Sequence, residues 1–562
     1  MENKEISRTL KLLSQLMELH QENPFKIKSI ANASFKVDKL PFKLKDKSPQ
    51  ELETIDGIGK STAAKITELL QSGTLAELNQ LIAQTPEGII EMLSIKGLGP
   101  KKIEIIWNEL GIENIGELYY ACNENRLIEA KGFGLKTQEE IKKAIEFKMA
   151  NAGRFLFAKI ENLAADYAQH FQTLLQKNDK NASVIISGDF RRKCEIIEDL
   201  TYLLISSSPI HSSVLLSDEF DLISESKDYL ELKDKNGITL KCFFSSPEEA
   251  AWKLFETTGS EEHVEKVKNL IKNQQNYTSE KEIYDTAGLD FIEPELRENH
   301  QELEWAKSRQ LPKLITYSDL KGTLHNHSTW SDGVHSIEEM ALYCRDELGL
   351  SYLGMCDHSK TAVYASGLSI ERVLQQHEEI DHLNKKLAPF KIFKGIESDI
   401  LGDGSLDYPD EILEKFDFVV ASIHSNLKMD EEKATQRLIN AIENPFTTIL
   451  GHPTGRLLLS RSGYPLDFKK IIDACAANKV VIEINANPLR LDLDWRWHQY
   501  ALEKGVMLSI NPDAHRNEGF IDMQYGIYVA RKGGLTAEQC FNSLNLQQIS
   551  SYFVERKAKI RV

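Results

Sequence analysis

Residues 321–515 constrain this chain more than any other stretch, because short apolar runs there end repeatedly in a histidine or a carboxylate. The segment Leu324-His325-Asn326-His327 opens the series, and Ser331-Asp332-Gly333 follows it. The runs 352–356, 391–396, 418–423 and 447–451 then end in Asp357-His358, Glu397, His424 and His452. The runs 480–484 and 506–512 end in Asn485 and in Asp513-Ala514-His515. Helical patterns separate most of them, at 336–348 and 467–478 for example. Alternating strand and helix predicts a parallel sheet. Seven such strands close into a barrel whose chemistry lies at the C-terminal strand ends. An H-x-H on extended backbone turns both imidazoles to one face. Two neutral imidazoles with a nearby carboxylate can begin a divalent-cation site. His335, His377, His382 and His498 lie off the pattern and are expected to be surface or packing residues. Cys356 is expected to pack in the core.

These motifs, with Gly395-Ile396-Glu397, Gly451-His452-Pro453 and Asp513-Ala514-His515 among them, resemble the polymerase-and-histidinol-phosphatase (PHP) family over residues 318–550. The resemblance implies a distorted (β/α)7 barrel with a phosphoesterase centre of two or three divalent metal ions. It implies that His325, His327, Glu397 and Asp513 hold the first ion and carry the catalysis. Glu397 would bridge to a second ion held by His424 and His452, and Asp332, His358 and His515 would hold a third. A bridging carboxylate lets two cations sit roughly 3.5–4 Å apart and clamp a phosphoryl group. Mixed imidazole and carboxylate donors favour zinc, manganese or iron over magnesium alone. Arg456 and Arg490 are expected to meet phosphate at the mouth, and Asp357 and Asp399 to orient ligand imidazoles.

At 562 residues the chain exceeds what one core serves, and three or four domains are expected. The 7 cysteines are scattered without a C-x-x-C, which predicts a reducing compartment and no disulfides. No apolar run approaches membrane-spanning length, so a cytoplasmic protein without a membrane partner is expected. The net charge of −17 disfavours a broad basic surface but leaves room for local phosphate contacts. Residues 1–50 predict helical segments with a loop at 21–24. Three related segments follow: Ile55-Asp56-Gly57-Ile58-Gly59-Lys60, Ile95-Lys96-Gly97-Leu98-Gly99-Pro100-Lys101 and Ala130-Lys131-Gly132-Phe133-Gly134-Leu135-Lys136. Each precedes a helix, and each resembles the helix-hairpin-helix motif. Its glycines bring backbone N–H groups to a helix N-terminus, where a DNA phosphate can bind without base readout. Gly57, Gly59, Lys60, Gly97, Gly99 and Lys101 are the expected DNA contacts; the third copy can serve packing alone.

Residues 186–201, with Gly188-Asp189-Phe190-Arg191-Arg192 in them, resemble the nucleotidyltransferase palm of family X DNA polymerases. Residues 257–263 resemble that family's nucleotide-side turn, and 287–298 the linker of its bacterial members. The implied multidomain fold is an α-helical N-terminal domain (1–85) with a helix-hairpin-helix, a fingers-like helical domain (86–150), an α/β palm (151–245), a thumb and linker (246–317) and the PHP barrel (318–562). Residues 300–320 are expected to be a polar linker. Polymerase chemistry needs three carboxylates to hold two magnesium ions. Asp199 supplies the first, whereas Thr201 and Lys241 occupy the other two places, so magnesium is not expected to support polymerisation. Lys65 falls where some members place a Schiff-base lysine, and it is expected to be a solvated helix lysine instead. The expected function is a monomeric, metal-dependent 3′→5′ exonuclease of DNA repair, acting on gapped, nicked or 3′ DNA ends with a degenerate palm. The alternatives are an active gap-filling polymerase with an attached nuclease, and a phosphomonoesterase acting on a small metabolite.

Overall fold

The computed structural model describes residues 1, 3–37, 40, 42–55, 57–95, 97–128, 130–150, 153–272 and 275–560. The chain divides into two compact units, Met1–Glu146 and Phe147–Val562. The first is helical and opens with Asn3–Leu19 and Pro24–Val37 on either side of the expected loop. The first glycine of each hairpin has left-handed backbone, with φ of 83° at Gly57, 93° at Gly97 and 87° at Gly132. Only glycine adopts that conformation without strain. The next residue plugs the core: Ile58, Leu98 and Phe133 are all buried. The second glycine then caps a helix, Gly59 before Lys60–Ser72 and Gly99 before Pro100–Asn108. Asp56 and Lys96 lie outside the described residues.

In the second unit a five-stranded sheet comes first. Its strands are β1 (Ser183–Ser187), β2 (Asp199–Ile205), β3 (Phe220–Ser226), β4 (Tyr229–Asp234) and β5 (Thr239–Ser245), in the order β1-β2-β5-β4-β3. β2 and β5 run parallel, with Thr201 opposite Lys241. Phe157, Ile160 and Phe171 of helix Phe157–Leu175 cover the sheet. A separate buried cluster of Phe255, Tyr284, Ile292 and Leu296 follows. The linker expected over 300–320 is instead packed structure. It contains helix Glu302–Ser308, whose Leu303, Trp305 and Ala306 join that cluster. Glu302 is buried and accepts from the backbone N–H groups of Asn299 at 2.9 Å and His300 at 2.7 Å, so its charge is satisfied.

The barrel follows as seven parallel strands in sequence order: β6 (Gly322–Thr323), β7 (Tyr352–Met355), β8 (Lys391–Asp399), β9 (Phe418–Ser422), β10 (Ile449–Leu450), β11 (Val481–Asn485) and β12 (Leu508–Asn511). Among the described residues no regular ladder joins β6 to β12. A lone parallel bridge between Asn326 and Ala514 closes the ring, supported by the His327 N–H donating to the Ala514 carbonyl at 2.9 Å. The H-x-H therefore lies just past its strand rather than on it. The helix expected over 336–348 is Ile337–Leu342 running into a π-helical turn, Tyr343–Glu347. That expected over 467–478 is Phe468–Asn478, capped by the Asp467 side chain.

Leu324, Tyr352, Phe393, Phe418 and Val420 fill the barrel interior. Helix Leu546–Ile560 plugs its N-terminal end, and Phe553 stacks on Phe418 with centroids 5.2 Å apart. Gly354 and Gly395, on neighbouring strands, leave the room that the Phe418 ring takes. Cys356 is fully buried, as expected, and all seven cysteines are free thiols. Among the described residues no helix is long and apolar enough to cross a membrane.

A Cβ at position 395 would meet the Phe418 ring, the Met355 carbonyl at 2.6 Å and the Cys356 sulfur at 2.7 Å. Overpacking of this kind costs about 1–3 kcal/mol. Gly395→Ala is expected to lower the unfolding free energy by that amount, seen as a lower urea midpoint, and an unchanged midpoint would contradict this account of the interior.

Candidate metal centre

Six of the strands, with the loop after β6 that carries Asp332, deliver the nine predicted side chains to one rim. Glu397, within β8, is their common neighbour. Its Oε1 lies 2.9 Å from His452 Nε2, 3.1 Å from His424 Nε2 and 3.3 Å from His325 Nε2. Its Oε2 lies 3.0 Å from His358 Nδ1 and 3.6 Å from His327 Nε2. Asp513, just past β12, places Oδ1 3.0 Å from His327 Nε2 and 3.6 Å from His325 Nε2. Asp332 faces His515 Nε2 at 3.3 Å and His358 Nε2 at 3.6 Å. Among the described residues of the barrel, donor atoms group as His325, His327 and Asp513; as His358, Glu397 and His424; and as His327, Asp332, His358 and His515. The sequence-based sets differ in detail. His358 turns one ring nitrogen to Glu397 and the other to Asp332, so it stands between two groups.

Burial and charge agree with a cation site. Burial alone would neutralise these groups, yet the facing imidazoles hold Glu397, Asp513 and Asp332 well below the usual carboxylate range. Burial pulls His325 down, but Glu483, Asp513 and Glu397 outweigh it and hold the imidazole well above its ordinary value. Burial likewise opposes His424, and Glu397 and Asp399 push it up to about 10. His327 is pushed down to about 3 by burial and by His515 and His358. His325 Nε2 and both nitrogens of His327 and His358 are buried without hydrogen bonds of good geometry. Orphaned imidazole nitrogens facing charged carboxylates fit divalent cations.

Neighbouring carboxylates fix the rings. Asp399 Oδ1 takes the Nδ1 of His424 at 2.5 Å, as expected, and Glu483 Oε1 takes that of His325 at 2.7 Å. Among the described residues Asp357 bonds no imidazole. It accepts from the Ser328 N–H at 2.8 Å, the Ser331 hydroxyl at 2.5 Å and the Gln376 amide at 2.6 Å, which ties down the turn carrying Asp332. Glu483 went unrecognised in the sequence, although a lone carboxylate inside an apolar strand was the available signal.

Comparison with known proteins widens this picture beyond the barrel. Residues 1–75 match the model of the "Helix-hairpin-helix domain" family, and residues 89–146 match the "SAM-like Helix-hairpin-helix tandem". A "DNA polymerase/3'-5' exonuclease PolX" of Bacillus subtilis (strain 168) is 33% identical over an alignment of 586 positions, gaps included, covering 98% of this chain and 99% of that protein. The chain belongs to the PolX family. Its barrel also resembles shorter proteins. A "Probable phosphatase" of Thermoanaerobacter sp. (strain X514) is 28% identical over 253 residues, covering 43% of this chain and 98% of that protein. Another, from Caldanaerobacter subterraneus subsp. tengcongensis, is 37% identical over 143 residues, covering 23% of this chain and 53% of that protein.

Within this PolX-family chain, the palm residues singled out by sequence do meet. Lys241 Nζ pairs with Asp199 Oδ2 at 2.8 Å, and the Thr201 hydroxyl donates to Asp199 Oδ1 at 2.8 Å. Both oxygens of the one carboxylate are engaged. Arg192 is held by Asp189 at 2.5 Å and Glu298 at 3.0 Å. In the helical unit Gly57, Gly59, Lys60, Gly97, Gly99 and Lys101 are exposed. Lys65 is not a solvated lysine, because it pairs with Glu77 and is largely buried. Arg456 is engaged within the barrel. Each of its guanidinium nitrogens donates within the chain, to Arg490 O at 2.8 Å, to Asp494 at 2.7 Å and to Leu491 O. It braces the loop carrying Arg490, whose Nε lies 4.0 Å from Asp513.

A ligand that binds only the folded state raises stability by mass action, by about 2.7 kcal/mol at a hundred times its Kd. Adding Mn²⁺ to the metal-stripped chain is therefore expected to raise its thermal midpoint, and a chelator to reverse the rise. The same scan on a Glu397→Ala, His327→Ala double variant should show a much smaller metal-dependent shift; an equal shift would place the ions elsewhere.

Proposed function

We propose that this chain is a DNA-binding, metal-dependent 3′→5′ exonuclease whose palm no longer polymerises. The convergence of nine imidazole and carboxylate side chains on one rim of the barrel carries this reading. The name of the Bacillus subtilis relative, a polymerase and 3'-5' exonuclease, supports it. Divalent cations bound at such a rim lower the pKa of a water and stabilise the charge that develops on a phosphodiester. His325, His327, Glu397 and Asp513 would hold one ion, Glu397, His424 and His452 a second, and Asp332, His358 and His515 a third. The donor set suits zinc, manganese or iron. Arg490 would meet the phosphate anion beside Asp513. The hairpins at Gly57-Ile58-Gly59-Lys60 and Gly97-Leu98-Gly99 would hold the DNA backbone without reading bases, as gapped, nicked or frayed 3′ ends in repair require.

The palm would act as a scaffold. Asp199 is alone among the three expected carboxylates, and an ammonium group 2.8 Å away takes the place of a cation. The unit of residues 1–146 would then comprise the two hairpin-bearing domains, with the palm to 245, the thumb to 317 and the barrel beyond. A monomer in the cytoplasm completes the proposal. A second reading, hydrolysis of a small phosphomonoester, is favoured by the relatives named as phosphatases over the barrel.

A 5′-labelled oligonucleotide with Mn²⁺ separates these readings. The wild type is expected to shorten it stepwise from the 3′ end. His325→Ala should lose on the order of 100-fold or more, and Asp199→Ala should match wild type. Primer extension with dNTPs and Mg²⁺ should be absent in all three. Turnover of p-nitrophenyl phosphate with an intact oligonucleotide would favour the second reading, and robust extension would restore the polymerase.

A further inference from the structure

Glu483 stands in β11 between Ile482 and Ile484, with no exposed surface. A buried carboxylate in such a strand costs free energy unless its oxygens are fully hydrogen-bonded. Here they are. Oε1 accepts from His325 Nδ1 at 2.7 Å and from the Asn511 amide at 3.1 Å. Oε2 accepts from the His452 backbone N–H at 2.7 Å and from the Asn485 amide at 3.3 Å. The Asn485 amide also donates to Asp513 Oδ2 at 3.1 Å. Four donors occupy the roughly four acceptor positions of a carboxylate, which leaves none for a cation.

These partners come from strand ends that the sheet does not hold. His325 follows β6 and Asp513 follows β12, the two strands joined by a single bridge, and His452 follows the two-residue strand β10. We propose that Glu483 is a positioning residue for the metal centre: it binds no ion, but sets His325, His452 and Asp513 across the seam where the barrel fails to pair. With Nδ1–H committed to Glu483, His325 presents Nε2 toward Glu397 and Asp513. No hydrogen bond from Glu483 reaches Asp332, His358 or His515 among the described residues. Its loss therefore acts on one part of the centre only. This inference rests on the metal-centre reading proposed above.

The test is a Mn²⁺ titration of the full-length chain, followed by the electron paramagnetic resonance of free Mn²⁺, with no DNA present. Wild type is expected to bind more than one ion tightly. Glu483→Ala should weaken the sites containing His325 and Asp513 by about 10–100-fold, while one ion stays at Asp332, His358 and His515. Glu483→Gln should fall between the two, because its amide still accepts from His325 but sets a donor against the His452 N–H. Wild-type number and affinity in both variants would overturn the proposal. A Glu483→Gln chain that has lost its folded circular dichroism would also overturn it, assigning Glu483 to the fold instead. Absence of binding by the wild type would sink the metal-centre reading on which the proposal stands.

Discussion

Five imidazoles face one buried carboxylate, and the architecture of the barrel follows from that arrangement. Glu397 is almost fully shielded from water, and its neighbours His325, His327, His358, His424 and His452 come from four different strand ends. A buried charge persists only where positive charge or good hydrogen bonds compensate it. Protons on the imidazoles can do this, and divalent cations do it better, because they also satisfy the ring nitrogens left without partners. The opposite end of the barrel has the complementary task. Phe418, Phe541, Ile549 and Phe553 seal it with apolar contact, which leaves the polar chemistry to one rim.

The rest of the second unit is joined to this barrel by charge as well as by packing. Lys532, at the end of helix Met523–Lys532, is buried, donates to the Arg192 carbonyl at 3.0 Å and pairs with Glu298. Arg531 beside it pairs with Glu295 at 2.8 Å. The same helix packs against β11 and β12, where Gly526 sits on Ile510 and Ala486. The turn at residues 188–192 is thus part of a barrel contact. Asp199 nearby in the chain is paired to Lys241.

Much of this was legible in the sequence because the signals were periodic. Apolar runs ending in His or Asp gave the strand order and the rim. The three Gly-x-Gly segments gave the hairpin turns, since only glycine takes the positive φ found at Gly57, Gly97 and Gly132. What stayed hidden depends on partners distant in the chain. The bonds of Arg456 to Asp494 and to the carbonyls of Arg490 and Leu491 could not be read from the sequence. Residues 300–320 looked polar because the satisfaction of Glu302 by its own backbone turn is invisible to composition. Glu483 was masked by its setting, a single charge inside a run of Val and Ile. Which ring nitrogen each histidine presents is likewise a property of the folded rim.

The most direct measurement is anomalous diffraction at the manganese edge from crystals of the full-length chain grown with Mn²⁺. The account predicts at least two peaks among His325, His327, Asp332, His358, Glu397, His424, His452, Asp513 and His515, with Glu397 shared between ions and no peak at Asp199. A rim without anomalous density, or a peak held by Asp199 in the palm, would contradict it.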